Sequence, residues 1–462
     1  MRRPLFFNQL RLFCRKDDSP TICKEKRIDS GGEYALWKYI LLSAFALLIT
    51  IRAPQLVWPG RFWAEEGTLF FARCYLLPIP DFIFSIELGY YNLYPKLAAL
   101  SAVYLVPMEY AACIMALWSL AGMLIPAWLL LFSARETRFL NIFTILSLLS
   151  ILLIQPNQEV WLNTVNSQFY FCLATAIILI TKPVNRMMLG IRLAVLATAG
   201  LTGVISCLLL PLFWLEVALT RDRDRLSEAL VLSIVSGLQV ASILIAGGRE
   251  TTCYFTLLPW ALLIKQWVLP YLGMEMADQL GNVIIQNRLW FHMTFTMLAL
   301  IPYLLVTGIL ILSKKDRYAC YLAAASLFIA CISFCKSVEA LPTGSILSHL
   351  SSLGGSRYYF VPNVLMAMAL LRTSGIGEKQ TWPGMQRVWH LFCVTLVSVS
   401  LLVGAANFFC HHKIQPFFSG PSWPEEVRRW RNNESDTLHI WPPPWKMHIL
   451  KKTDTTILRP TE

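Results

Sequence analysis

Charge is scarce in this chain: of 462 residues only 15% are Asp, Glu, Lys or Arg, against about 25% in an ordinary soluble domain. With 56% apolar residues and a mean hydropathy of +0.53, this excludes a disordered chain and argues against a soluble enzyme. Metal-type cysteine spacing is missing. Most of the 12 Cys fall inside apolar runs, as Cys113, Cys172, Cys207, Cys331 and Cys393 do, and there a thiol behaves as a small hydrophobe. Cys14 and Cys23 have no second pair or His nearby, so no zinc site is read. His411 and His412 lack a third ligand. No metal and no other cofactor is required. No P-loop, GxGxxG, GxSxG or HExxH motif occurs in the context its chemistry needs, which argues against ATP hydrolysis. Long repeats and low-complexity segments are absent. Residues 1–34 contain no apolar signal-peptide core, so no cleaved signal is expected.

What the chain does have is apolar runs of membrane-crossing length. Candidate spans are 35–53, 111–132, 139–154, 168–181, 188–204, 205–219, 227–246, 294–313, 318–335, 358–371 and 388–408. The expected fold class is an all-α polytopic membrane protein with about 11 transmembrane helices (roughly 10–13). Amphipathic interfacial helices are expected in a long first external loop. The apolar stretch 97–107 is short and could be re-entrant. The run 254–273 holds Lys265 and two Pro, and reads as a re-entrant or surface helix.

Basic residues orient the spans. The net charge of +12 arises from 40 Lys and Arg against 28 Asp and Glu. Eight basic residues lie in the N-terminal tail, from Arg2 to Arg27. Further Lys and Arg sit in alternate short loops: Arg135, Arg138, Lys182, Arg186, Arg221, Arg223, Arg225, Lys314, Lys315, Arg317, Arg372, Lys379 and Arg387. Loop 155–167 has none, and 336–356 has only Lys336. The bias predicts a cytoplasmic N-terminus and an external C-terminus. The organisation read is a cytoplasmic basic tail 1–34, a membrane domain 35–408 with external loops 54–96 and 247–293, and an external tail 409–462. Basic charge between spans meets anionic lipid, and no basic-aromatic patch indicates nucleic acid.

Three stretches carry candidate chemistry. RFWAEEGTLFFARCY (Arg61–Tyr75) sets Glu65 and Glu66 in an aromatic setting just after the first span. A carboxylate near a low-dielectric boundary has its pKa raised toward that of a useful base. NQEVWLNTVNSQFY (Asn157–Tyr170) joins two spans on the same side. At helical spacing its Glu159, Asn163 and Asn166 share a face, and amides there suit sugar hydroxyls as well as helix capping. LSHLSSLGGSRYYFVP (Leu347–Pro362) puts Arg357 beside Tyr358 at the start of a late span. Arg binds phosphate through paired hydrogen bonds, and it also serves as an interface anchor. Arg249 and Arg288 in loop 247–293 are further candidates for phosphate or acceptor. WPEEVRRW (Trp423–Trp430) reads as a short amphipathic helix, either packing on the external loops or lying over a cavity.

A first span, an external loop opening on WAEEGTLFF and many later spans together resemble the GT-C class of polytopic membrane glycosyltransferases of bacteria. The likeness covers residues 35–408 as topology and about fifteen residues as motif. It implies an inner-membrane enzyme that moves a sugar from a polyprenyl-phosphate donor to an envelope glycan or lipid acceptor. It implies an external-loop acid as base, carried here by Glu65 and Glu66 jointly, both Glu where an Asp is common. Arg357, with Tyr358, would hold the donor phosphate, and direct displacement would invert the anomeric carbon. The alternatives are a flippase or transporter of lipid-linked saccharides, marked by ionisable residues along a buried path, and an envelope glycan polymerase or ligase.

Overall fold

A chain this apolar satisfies its backbone internally, and helices do so within one segment. The computed structural model describes residues 31–133, 142–247, 255–289, 292–304, 306, 316–337, 350–351, 354–374, 384–409 and 419–450. Arg249, His349, His411 and His412 lie outside the described residues. Nearly all regular structure among the described residues is α-helical. In chain order the main helices are α1 (Gly31–Arg52), α2 (Leu93–Tyr104), α3 (Ala111–Phe132), α4 (Ile142–Leu153), α5 (Ser167–Ile180), α6 (Arg186–Thr202), α7 (Leu210–Thr220), α8 (Arg223–Ile245), α9 (Leu269–Gln286), α10 (Arg317–Ser337), α11 (Phe360–Thr373), α12 (Gly384–Phe409) and α13 (Trp423–Arg431). A two-residue antiparallel pair, β1 (Leu438–His439) and β2 (Lys446–Met447), follows.

Four described helices are long and apolar enough to cross a membrane: Met108–Phe132, Arg223–Ile245, Arg317–Cys335 and Arg387–Phe408. Arg186–Thr202 and Val204–Thr220, expected as two spans, meet at 119° and make a fifth if taken as one broken span. The described helices do not confirm the expected eleven, and residues 139–141, 305 and 307–313 of the expected spans lie outside the described residues. Helices α4, α5 and α11 have 12, 14 and 14 residues, about 18–21 Å against a hydrocarbon core of about 30 Å. Every residue of α5 is buried, and its N-terminal end passes into the largely buried irregular backbone of residues 157–166, where non-helical chain is tolerated. The 97–107 stretch falls within and just after α2, whose 12 residues run only about 18 Å. The 254–273 run becomes Leu258–Leu262, a wider turn Leu263–Val268 and the start of α9, kinked at Gly273.

Outward faces differ from inward ones as a lipid environment requires. Helix α8 exposes Leu230, Ile234, Leu238 and Ile245, and α12 exposes Val388, Leu391, Phe392 and Leu402. Such apolar stripes do not suit water. Helix α3 carries no charge, and its small buried residues Ala112, Ala116, Gly122 and Ala127 let neighbours approach.

The two ends of the bundle are chemically distinct. At the C-terminal end of α5, Arg192 and Arg225 both donate to the carbonyls of Ile178 and Thr181, and both pair with Glu228. These buried cations satisfy the last carbonyls of the helix. Nearby in the same layer of loops, Glu216 accepts from Arg317, Tyr318 and Tyr321, and Arg372 pairs with Asp316. The opposite end is built differently. There a second apolar core joins residues 62–115 to the C-terminal segment, through Phe62, Phe70, Phe71, Trp423, Val427, Leu438 and Ile440.

Candidate functional site

The site is built on irregular backbone between α4 and α5. Residues 157–166 form turns rather than the helix that the spacing suggested. Glu159, Asn163 and Asn166 still converge, for another reason. The Asn163 Nδ2 donates to the Glu159 carbonyl at 2.6 Å, and Asn166 Nδ2 donates to the same oxygen at 2.9 Å. Asn163 Oδ1 accepts the Asn166 N–H at 2.9 Å. Both amides therefore hold their own loop. Outside elements anchor it further. Arg52 at the end of α1 donates to Asn157 Oδ1 at 3.0 Å and lies 4.1 Å from the Trp161 ring. Asn363 on α11 donates to the carbonyls of Gln155 and Lys265, at 2.8 and 2.9 Å.

The acidic stretch docks on this loop and separates its two carboxylates. Consecutive residues on a helical turn point about 100° apart. Glu66 points inward and is 1% exposed. Its Oε1 accepts from the Thr164 N–H and from Thr164 Oγ1 (2.6 Å), and its Oε2 accepts the Trp63 N–H at 2.9 Å. The bond back to Trp63 is that of a capping-box acid. Burial raises the Glu66 pKa, while the three donors and the nearby Arg61 all favour the ionised form. Arg61 is itself buried, which lowers its pKa to about 10 against the pull of Glu66. It donates to the Trp161 carbonyl at 2.9 Å and lies 4.4 Å from the Trp63 ring centroid. Glu66 is thus a structural acid, with both oxygens engaged.

Glu65 points elsewhere. It is half-buried, and among the described residues no hydrogen bond or ion pair engages its carboxylate. Its charge acts on Arg357. Arg357, in the turn Ser356–Tyr359 before α11, pairs with the Glu159 carboxylate and lies 5.1 Å from the Tyr358 ring. Burial pulls the Arg357 pKa down, but Glu159, Tyr358 and Glu65 outweigh it and the net shift is upward. Tyr358 also meets Phe169 edge to face, which fixes α11 against α5. Lys265 completes the cluster. It is fully buried, and its Nζ donates to the carbonyls of Ser351 and Gly354 (2.8 Å to the latter). Burial brings its pKa down to about 7 despite Asp278 and Glu159.

The structure therefore gathers Glu65, Glu159, Arg357, Tyr358 and Lys265, and withdraws Glu66, Asn163 and Asn166 into the scaffold. Arg288 is exposed beyond the C-terminal end of α9. Among the described residues no hydrogen bond or ion pair joins its side chain to the cluster. Among the described residues no group of three or more His, Cys, Asp or Glu could hold a metal ion. Thr164 and Arg61 were inside the stretches that the sequence singled out, but nothing local marked them as partners of Glu66. A half-buried acid acting on an Arg can take a proton, and that Arg, together with a Lys that titrates near neutrality and acts on the same Glu159, can offset anionic charge. No protein family, curated protein or solved structure matches the chain.

Proposed function

We propose that the chain is a GT-C-like glycosyltransferase of a bacterial cytoplasmic membrane. Its donor is a polyprenyl-phosphate sugar arriving from the outer leaflet, and its acceptor is an envelope glycan or lipid. The observation that carries the reading is the separation of the two adjacent acids. Glu66 is locked into the loop, and Glu65 is left facing Arg357.

In this reading the Glu65 carboxylate takes the proton of the acceptor hydroxyl. The acceptor oxygen forms a bond to the anomeric carbon as the bond from that carbon to the phosphate oxygen breaks, with inversion. Arg357 offers several N–H donors, so it meets the leaving phosphate while keeping Glu159. Lys265 is a second cation below about pH 7. Sites built this way favour the transition state by aiming fixed charge where charge develops. The span count of the full chain, the sidedness of its termini and the role of 247–293 as an external loop belong to the same proposal.

The test is mass spectrometry of envelope glycans in a deletion strain complemented with wild type, Glu65→Gln or Glu66→Gln. A hexose or pentose mass lost on deletion, restored by wild type and not by Glu65→Gln, supports the reading and names the sugar. Full restoration by Glu65→Gln refutes it.

A further inference from the structure

The segment that shapes the acidic motif comes from the far end of the chain. Residues 419–450 fold as α13 followed by the β1–β2 pair, tied together by buried Glu426, which accepts from the His439 N–H at 2.9 Å. This unit docks on the acidic loop through several independent contacts. Trp441 pairs with Trp63 as a parallel bridge. The Ala64 N–H donates to the Trp441 carbonyl at 2.5 Å, and the Trp441 N–H donates to the Phe62 carbonyl at 3.1 Å. Arg61 lies 5.4 Å from the Trp441 ring, and Trp423 meets Phe62 edge to face at 4.6 Å. Gly67 of the motif admits Ile440, since an added Cβ would lie 2.7 Å from its Cδ1.

These two backbone bonds flank Trp63, and one of them is made by Ala64, the residue just before Glu65. Ala64 has φ +38°, which a residue with a Cβ adopts only when its surroundings over-determine it. The surroundings here are the Trp441 carbonyl, which takes the Ala64 N–H, and Thr68, whose N–H and Oγ1 donate to the Ala64 carbonyl at 3.3 and 3.2 Å. Trp441 is in turn fixed within its own segment. Its Nε1 donates to the Pro421 carbonyl at 2.8 Å, and its ring covers Gly420 so closely that a Cβ there would lie 2.5 Å from Nε1.

We propose that segment 419–450 is a positioning element of the candidate site, in which the Trp441 backbone sets the direction of the Glu65 carboxylate. The proposal rests on the reading of Glu65 as the base. Trp441 does not touch substrate. It acts by holding Phe62–Ala64, and a misplacement of about 1 Å at a base costs on the order of 100-fold in rate.

The experiment uses the purified full chain in proteoliposomes. Short-chain polyprenyl-phosphate [14C]sugars are offered singly, with envelope lipid extract as acceptor, and kcat and donor KM are measured. Gly420→Ala and Gly420→Val push the Trp441 ring aside without changing the acidic loop. The expected result is a kcat lowered about tenfold by Gly420→Ala and about 100-fold by Gly420→Val, with donor KM within about twofold of wild type. Arg431→Ala removes an exposed pair with Glu109 on the same segment and leaves both constants unchanged. Gly420→Ala decides the matter if Gly420→Val does not fold. Wild-type kcat in Gly420→Ala, alongside an inactive Glu65→Gln, overturns the positioning role and leaves the base intact. A KM that rises as kcat falls, with a lowered unfolding midpoint, shows general damage and overturns it too. Activity in Glu65→Gln, or no transfer by wild type, overturns the reading beneath it.

Discussion

Glu65→Gln and Glu66→Gln are the same chemical change one residue apart, and the structure assigns them opposite consequences. At Glu66 the amide places an NH2 where an acceptor is required. One orientation faces it to the Trp63 N–H and the other to the Thr164 N–H. Either way a buried donor is orphaned, at about 1–3 kcal/mol. The change also removes the negative charge felt by buried Arg61, and uncompensated buried charge adds to the loss. The sum is roughly 2–5 kcal/mol, a large share of a typical stability of about 5–15 kcal/mol. At Glu65 no such bond is lost, so the change in stability stays within about 0.5 kcal/mol. Removal of a general base costs on the order of 100- to 10,000-fold in rate. Thermal unfolding of the detergent-solubilised protein, followed by sugar transfer from proteoliposomes, reads both quantities. The expected pattern is a folded but inactive Glu65→Gln and a destabilised Glu66→Gln whose remaining folded fraction still turns over. A Glu66→Gln variant of wild-type stability and no activity would refute the assignment.

Other outcomes follow from the same contacts. The folded state loses the Lys265 proton near pH 7 and the unfolded chain near 10.5. The unfolded state therefore binds more protons between those values, and stability rises with pH across that window by on the order of a few kcal/mol. Lys265→Met flattens this rise in denaturation midpoints taken from pH 7 to 10. Donor affinity moves the other way, weakening as pH passes above about 7, and a donor KM profile checks it. Under the proposed donor role, Arg357→Lys loses the planar guanidinium fork and raises donor KM at least about tenfold in the transfer assay. Asn163→Ala and Asn166→Ala each lower the unfolding midpoint by about 1 kcal/mol equivalent and leave acceptor KM unchanged. Gly60→Ala destabilises by about 1–3 kcal/mol in the same unfolding measurement, because Gly60 has φ +84° and its Cβ would lie 2.6 Å from the Cys113 backbone nitrogen.

Hydropathy determined much of this protein by itself. The 111–132 run, with no charge in it, became α3 with the same bounds, and 227–246, 318–335 and 388–408 became α8, α10 and α12 within a few residues. A helix that satisfies its own backbone and meets lipid along one face writes both facts into local composition, so a window along the chain finds it. The helices α5 and α11 were legible as apolar runs, with 168–181 and 358–371 lying within two residues of the observed bounds and matching their length. That neighbours enclose them on nearly every face was not legible, because that is a property of the packing. The acidic motif was legible as a place and not as a division of roles. Two adjacent Glu look alike in sequence, and only the Thr164 backbone, 98 positions from Glu66, decides which one is satisfied. The helical face over Glu159, Asn163 and Asn166 failed because a shared carbonyl replaced helical periodicity. Trp441 had no local signal at all, since its partner strand is a stretch of backbone nearly 380 residues away. Periodicity is local and survives reading one residue after another. Backbone hydrogen bonds between distant segments carry no side-chain signature, so the tertiary structure alone determines them.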